Sequence, residues 1–488
     1  MASSRQSSEI VMQQIAFDPA DAKAALAQLP TSAAVFALYF DGVPTDRSLS
    51  VGQGAEAHAE PYIGRTPNLC GRLERLLQPS AKHPRRLQLA GRVRQIRWRL
   101  TGSEFESLLA QFSLLEKIYG AKSLERMHLG GPAFIRFLGS NAYPRIVVTN
   151  RPSQREADWA YGPFQSRATA ERYAEEALKL FLLRRCTFDL SPDPSFPGCV
   201  YSEMKMCLAP CYKGCTDERY GEEAAAVERF LATRGESKLV TLRTQRDEAS
   251  TALEFEAAAA LHAQVARVES VRALAPELVR PLSQLRAVIL QASANPGEIA
   301  VFLYENGRLS GPTVFSTLGM RIQNEQSGST SLFAHPMAIE PILEAPGPEV
   351  EPEEKISSGA EALLDSAELM RGLKPPPPSA SDSSAACNVA GLEVQGSEAD
   401  MPMKLARGTL ESRMEAALAA LTGLPEIPSP TLRQGHLALL KRWYYRPEAK
   451  RTGEIFFPDA EGNWPVKAML RGVGRVAGKM LGASSHAE

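Results

Sequence analysis

Apolar and polar positions along the chain fall into distinct periodic stretches. Residues 33–40 (Ala33-Ala34-Val35-Phe36-Ala37-Leu38-Tyr39-Phe40) are continuously apolar over the length of one buried strand. A second short strand ends at Tyr62-Ile63-Gly64. Thr66-Pro67-Asn68 then offers side-chain oxygens that cap a helix, so 68–78 predicts a helix. Val93 to Leu100 alternates apolar and cationic residues, as a half-exposed strand does. Glu104 to Tyr119 has the apolar spacing of an amphipathic helix. After the loop Tyr161-Gly162-Pro163-Phe164, a helix is expected to run to Arg185. Helical patterns follow at Asp217–Ala232 and Leu239–Leu274, then strands within 283–316 around an Asn306-Gly307 turn. From about 320 to 408 the chain is rich in Pro, Glu, Ser and Ala and contains Pro375-Pro376-Pro377-Pro378. Such a stretch cannot bury a core and predicts a disordered linker. Two more helices, Thr409–Leu421 and Leu432–Trp443, lie beyond it.

Short strands mixed with helices give an α+β class. The expected organisation is a tail (1–28), a small mixed-sheet domain (29–150), a cysteine module (151–216) and a helical hairpin (217–280). A short β segment (281–318), the linker (319–408) and a small basic C-terminal module (409–488) complete it.

Composition narrows the class without choosing a function. At 488 residues, 44% apolar and 23% charged, the chain is not disordered throughout, collagen-like or a disulfide miniprotein. It has no run of 18 apolar residues, and Met1-Ala2-Ser3-Ser4-Arg5-Gln6 leads into no apolar signal core. No membrane span and a cytoplasmic location are therefore expected. The net charge of −1 hides an uneven spread: Arg65 to Arg99 holds ten Arg/Lys against the single acid Glu74. That excess beside a glycine turn suits phosphate contact as well as a solvated basic face. The stretch Lys441-Arg442-Trp443-Tyr444-Tyr445-Arg446 is basic and aromatic, and suits nucleic acid, acidic protein or a plain cationic helical cap.

Five of the seven cysteines fall within thirty residues: Cys186, Cys199, Cys207, Cys211 and Cys215. Clustering of this kind favours a metal site over disulfides. Four thiolates can hold zinc tetrahedrally or carry an iron–sulfur cluster. Cys70 and Cys387 are isolated.

Four collinear segments resemble the UvrC family of excinuclease subunits. The first resembles its GIY-YIG nuclease core, with Ala34-Val35-Phe36 and Tyr62-Ile63-Gly64 as the two triplets and Arg72 eight residues on; Asn141-Ala142-Tyr143-Pro144 resembles a short segment beyond that core. The second is Tyr161-Gly162-Pro163-Phe164, and the third is the cysteine set with Cys207-Leu208-Ala209-Pro210-Cys211. The fourth, Leu253-Glu254-Phe255-Glu256-Ala257-Ala258, is similar to the UVR motif.

The resemblance implies a GIY-YIG-like small sheet with flanking helices. It implies catalytic roles for Tyr62 and Arg72, and DNA contact by Arg65 and Arg75. It puts Gln111 where the family has its metal-holding glutamate, Phe36 at the first-triplet tyrosine, Leu76 at a further tyrosine and Ser123 at an asparagine. An amide in place of a carboxylate keeps the shape of the ligand and removes its charge, so Mg²⁺ or Mn²⁺ affinity should fall. Glu116 would point away from Gln111, and Glu104 and Glu106 read as helix caps.

The cysteine resemblance favours a 4Fe–4S cluster on Cys186, Cys199, Cys207 and Cys211, with zinc as the alternative. The UVR-like hairpin implies a UvrB-like partner met through Glu254, Phe255 and Glu256, although His262-Ala263 replaces an expected Arg-Asp pair. Strands 283–316 resemble the lead-in to the family's second, RNase H-like nuclease, after which no Asp-containing strand pattern of that kind follows. Three functions fit: an excision-repair protein making one incision, a non-catalytic DNA- or UvrB-binding regulator, and a nuclease acting on mobile DNA.

Overall fold

The structure, a computed structural model, describes residues 12–40, 60–77, 89, 91–320, 402–422 and 428–484. Most of the linker expected at 319–408, residues 1–11, Cys387 and three of the ten cations (Lys82, Arg85, Arg86) lie outside these residues, whereas the rest of the expected tail (12–28) is structured and adds an edge strand to the first sheet.

The first body contains β1 (Gln13–Ala16), α1 (Ala22–Ala27), β2 (Ala34–Phe40), β3 (Tyr62–Thr66), α2 (Leu69–Leu77), β4 (Val93–Leu100), α3 (Glu104–Tyr119) and α4 (Lys122–Arg126). Its sheet has the order β1-β4-β2-β3, and the described pairs are antiparallel. Continuous apolarity puts β2 at the centre, where six of its seven residues are buried. Asn68 Oδ1 accepts the Gly71 N–H at 2.8 Å and starts α2 as its sequence predicts. One face of α2 (Leu69, Leu73, Leu76, Leu77) closes a core with Phe36 and Leu38.

The second body holds β5 (Ala133–Phe137), β6 (Ile146–Thr149), β7 (Ala160–Phe164), α5 (Arg167–Leu178), α6 (Val200–Glu203), α7 (Asp217–Ala232), α8 (Glu236–Thr251), α9 (Phe255–Ala273) and β8 (Arg280–Pro281). Its sheet runs β6-β5-β7-β8. Helix α5 ends at Leu178, seven residues before the expected Arg185. The expected single stretch 239–274 divides at Ala252-Leu253-Glu254, where Leu253 takes the left-handed conformation at φ 63°. The division makes an antiparallel pair, α8 against α9, with Leu239, Leu242, Val265, Val268 and Val271 buried.

The third body corrects the expected separation of 281–318 from 409–488. Strands β9 (Ala287–Ala292), β10 (Glu298–Glu305) and β11 (Arg308–Ser316) share a sheet with β12 (Glu454–Phe456), in the order β11-β10-β9-β12. Helices α10 (Pro402–Thr422), α11 (Pro430–Tyr444) and α12 (Val466–Ser484) accompany it. Met414, Leu418, Met469 and Val473 pack on Val288, Leu290 and Val301 of the sheet. The basic segment is thus part of a buried interface: Trp443 is 2% exposed, in one core with Phe105, Phe112 and Phe302. Strands β9 and β10 are apolar and buried on both faces, and the chain after 402 supplies the cover together with α3. Among the described residues no helix is long and apolar enough to cross a membrane.

Candidate nucleic-acid site

The register of β2 with β3 sets Phe36 opposite Gly64 and Leu38 opposite Tyr62. A Cβ at Gly64 would come within 2.7 Å of Phe36 Cζ, so this position admits only glycine beneath that ring. Phe36 is fully buried, with its ring centroid 6.1 Å from that of Tyr62. Its missing hydroxyl therefore leaves no polar gap in the core. Tyr62 is half-buried at the sheet edge, and Arg72 Nη2 on α2 donates to its hydroxyl at 3.5 Å.

Tyr62 and Gln111 line one cavity of about 440 Å³. Glu60, Tyr119 and Arg126 also line it. The expected residues Tyr62, Arg72 and Gln111 are thus brought together, Arg72 through its contact with Tyr62. Arg126 Nη2 pairs with Glu60 Oε2 at 2.5 Å, and its guanidinium lies 3.7 Å from the Tyr119 ring centroid. The Tyr119 hydroxyl donates to Pro61 O at 2.9 Å. Sequence reasoning missed Glu60 and Arg126, since neither falls in a motif.

The other two expected DNA contacts sit differently. Arg65 Nη1 pairs with Glu104 Oε1 at 3.4 Å. Glu104 is held more firmly by Arg446, two residues past the end of α11, which donates to both its oxygens at 2.7 and 2.8 Å. That bidentate bond holds the Glu104 carboxyl below its ordinary range, with the Arg446, Arg65 and Arg442 charges adding to it against partial burial. Glu104 thus bridges α3 to the chain that leaves α11. The cap belongs to Ser103, whose hydroxyl accepts the Glu106 N–H at 3.1 Å, and Glu106 answers by accepting the Gly102 N–H at 2.9 Å. Arg75 is exposed on α2, its Nε donating to Gly71 O at 2.9 Å. Ser123 is fully buried and its hydroxyl has no partner among the described residues.

The cysteines lie on the irregular chain between α5 and α7. Asp193 N–H donates to Cys211 O at 2.9 Å, and Leu208 N–H to Leu182 O at 3.0 Å. Tyr143 and Pro144, from the segment singled out in the sequence, tie the β5–β6 connection to α7, the helix that follows the cysteines. The Tyr143 hydroxyl donates to Asp217 Oδ1 and the Tyr220 hydroxyl to Pro144 O, each at 2.8 Å. Burial pushes the Cys207 thiol up to about 11; the Ala209 N–H, 3.3 Å from its sulfur, opposes this, and Cys186, Cys211 and Cys199 add to it. Those four cysteines are therefore mutual electrostatic neighbours. Cys215 feels burial first, then Asp217 and Arg219, and Cys211 only after them. All five are free thiols, and among the described residues no group of three or more His, Cys, Asp or Glu is arranged to hold a metal ion.

Leu253 and Phe255 stand at the turn between α8 and α9, 70% and 67% exposed. Glu254 and Glu256 flank Phe255 there.

Residues 134–230 match the middle domain of UvrC/Cho excinucleases. Full-length relatives make the resemblance more particular. UvrABC system protein C of Alcanivorax borkumensis is 27% identical over 254 residues, 52% of this chain and 41% of that protein. UvrABC system protein C of Ruminiclostridium cellulolyticum is 28% identical over 278 residues, 56% of this chain and 44% of that one. The Symbiobacterium thermophilum protein of that name is 27% identical over 280 residues, 56% and 43%. Together the domain match and these relatives support a UvrC-family protein. The matched stretch spans less than half the length of those relatives. No solved structure matches the chain.

Proposed function

We propose that this is a UvrC-type DNA-binding protein of nucleotide excision repair whose nuclease-like site grips the DNA backbone without cutting at nuclease rates. The observation that carries this reading is the contact of Tyr62 with Arg72, with a neutral Gln111 lining the cavity on which Tyr62 also opens. A guanidinium binds a phosphate oxygen through charge-assisted hydrogen bonds and needs no metal to do so. Cleavage needs more. A hard divalent ion takes carboxylate oxygens, and a carboxamide offers only a dipole. A second reading, one Mg²⁺- or Mn²⁺-dependent incision, is favoured by the retained Tyr62, Arg65 and Arg72.

Nicking of a damaged duplex with Mg²⁺ or Mn²⁺ and a UvrB-type partner decides between them. The first reading expects no nicking by the wild type and a gain in Gln111→Glu. Nicking by the wild type that Arg72→Ala abolishes establishes the second.

The hairpin is the surface proposed for the UvrB-type partner. Its support is an exposed Phe255 with acidic neighbours, a shape in which apolar area supplies affinity and charge sorts partners. For the cysteines the proposal is a 4Fe–4S cluster on Cys186, Cys199, Cys207 and Cys211, with zinc as the alternative. Its support is the spacing of the four cysteines in the sequence and an N–H 3.3 Å from the Cys207 sulfur, while among the described residues the thiols are not gathered into a metal-holding group. Bound there, such a group would fix a stretch of chain that has little regular structure. Iron, sulfide and zinc content of the purified protein, wild type against Cys207→Ser, distinguishes the two.

A further inference from the structure

The cavity beside Tyr62 holds a cation of its own. Arg126 lines it together with Tyr62 and Gln111. Two contacts fix its guanidinium: the Glu60 carboxylate at 2.5 Å and the Tyr119 ring at 3.7 Å from the centroid. Tyr119 is itself tied to Pro61 O at 2.9 Å, so the ring is a fixed shelf. The side chain of Arg126 is nonetheless 43% exposed, and a guanidinium has five N–H groups, of which Glu60 takes one. The charges lining the cavity are Glu60 and Arg126, which cancel, so Arg72 beside Tyr62 leaves the region net positive without any ion. A glutamate at 111 would cancel that excess and leave the region without net charge for a phosphate to meet.

We infer that Arg126 is a phosphate clamp, which with Arg72 holds a DNA phosphodiester in this cavity without a divalent ion. This rests on the proposal that the Tyr62 face takes DNA. The stacked, ion-paired guanidinium is already oriented, so little side-chain entropy is lost when a phosphate oxygen arrives. In this arrangement a neutral Gln111 and the cation of Arg126 line the same cavity, so the positive charge offered to a phosphate is the protein's own.

The test is fluorescence anisotropy of a labelled duplex titrated with the full chain, in EDTA and in Mg²⁺, over a range of salt. Wild-type affinity is expected to be equal in EDTA and Mg²⁺. Arg126→Ala should weaken binding about 5- to 10-fold and lower the salt-dependence slope by about one. Arg126→Lys should recover part of the affinity and all of the slope, because the charge returns without the fork. The thermal midpoint of each variant shows that it is folded. If Arg126→Ala binds as the wild type does while Arg72→Ala binds weakly, the clamp is wrong and the DNA reading survives. If EDTA weakens wild-type binding, the clamp is also wrong. If the wild type binds inorganic phosphate but no duplex, both the clamp as stated and the DNA reading fall.

Discussion

His436 should make the third body sensitive to mild acid. The imidazole is 2% exposed on α11, with the Phe112 ring 5.6 Å away, edge-on. Its Nδ1 accepts the Leu309 N–H at 2.9 Å, so its proton sits on Nε2, which has no partner among the described residues. Burial, helped by the Arg308 charge, depresses it from the ordinary 6.5 to about 3. Protonation would destroy the acceptor that Leu309 uses and bury a charge.

The folded protein thus refuses a proton that the unfolded chain takes up below about pH 6.5. The stability contributed is complete above that pH and drains away as pH falls towards 3. At about pH 5 the group is roughly 1.5 pH units below its unfolded value, a loss of about 2 kcal/mol. The control is His436→Asn, whose Oδ1 can accept the Leu309 N–H and does not titrate. Urea unfolding followed by circular dichroism, at about pH 7.5 and pH 5, gives the difference between the proteins at each pH. The wild type should lead at neutral pH by an amount that shrinks by about 2 kcal/mol at pH 5. Parallel pH profiles would refute the reasoning, since they mean that His436 titrates alike in both states.

Three further outcomes follow from contacts described above. A Cβ at Gly435 would lie 2.0 Å from Phe112 Cζ, so Gly435→Ala should destabilise by about 1–3 kcal/mol through overpacking, read as a lower urea midpoint at unchanged slope. Arg446→Ala breaks a partly exposed bridge to Glu104 and should cost only about 1 kcal/mol. Because the Glu104 carboxyl is held low, that contribution is present at neutral pH and is lost only as pH falls below the ordinary carboxylate range, which a pH series of the variant checks. Phe255→Ala removes an exposed ring, so thermal stability should stay within about 0.5 kcal/mol while affinity for a UvrB-type partner falls, as measured by calorimetry.

What the sequence revealed was local and periodic. Helix α7 has the bounds its pattern predicts, and β2, β4 and α3 follow from runs of 8 to 16 residues with one clear period. Tyr62 and Arg72 were legible because a motif spaces them ten residues apart, about the reach of one strand and one helical turn. Arg126 and Glu60, 66 residues apart, carry no shared pattern and meet only where the end of α4 reaches the two residues that lead into β3. The break at 252–254 was hidden because Ala, Leu and Glu all favour helix, and tertiary packing of α9 on α8 overrides them. Strand β12 is three residues long, too short to show any alternation.

That short strand has a consequence in time. Gln291 on β9 is fully buried, and its amide is satisfied only by Thr452: Nε2 donates to Thr452 O at 3.1 Å, and Thr452 Oγ1 donates to Oε1 at 3.3 Å. The two residues are 161 positions apart. At a synthesis rate of about 5–20 residues per second, the ribosome reaches Thr452 roughly 8–32 s after Gln291. Throughout that interval one edge of β9 is open, with free N–H and C=O groups and the apolar Val288 and Leu290 uncovered by α12. The newborn chain therefore passes through a window in which this sheet can pair with a neighbour, and chaperones that shield strand edges act on it then or not at all.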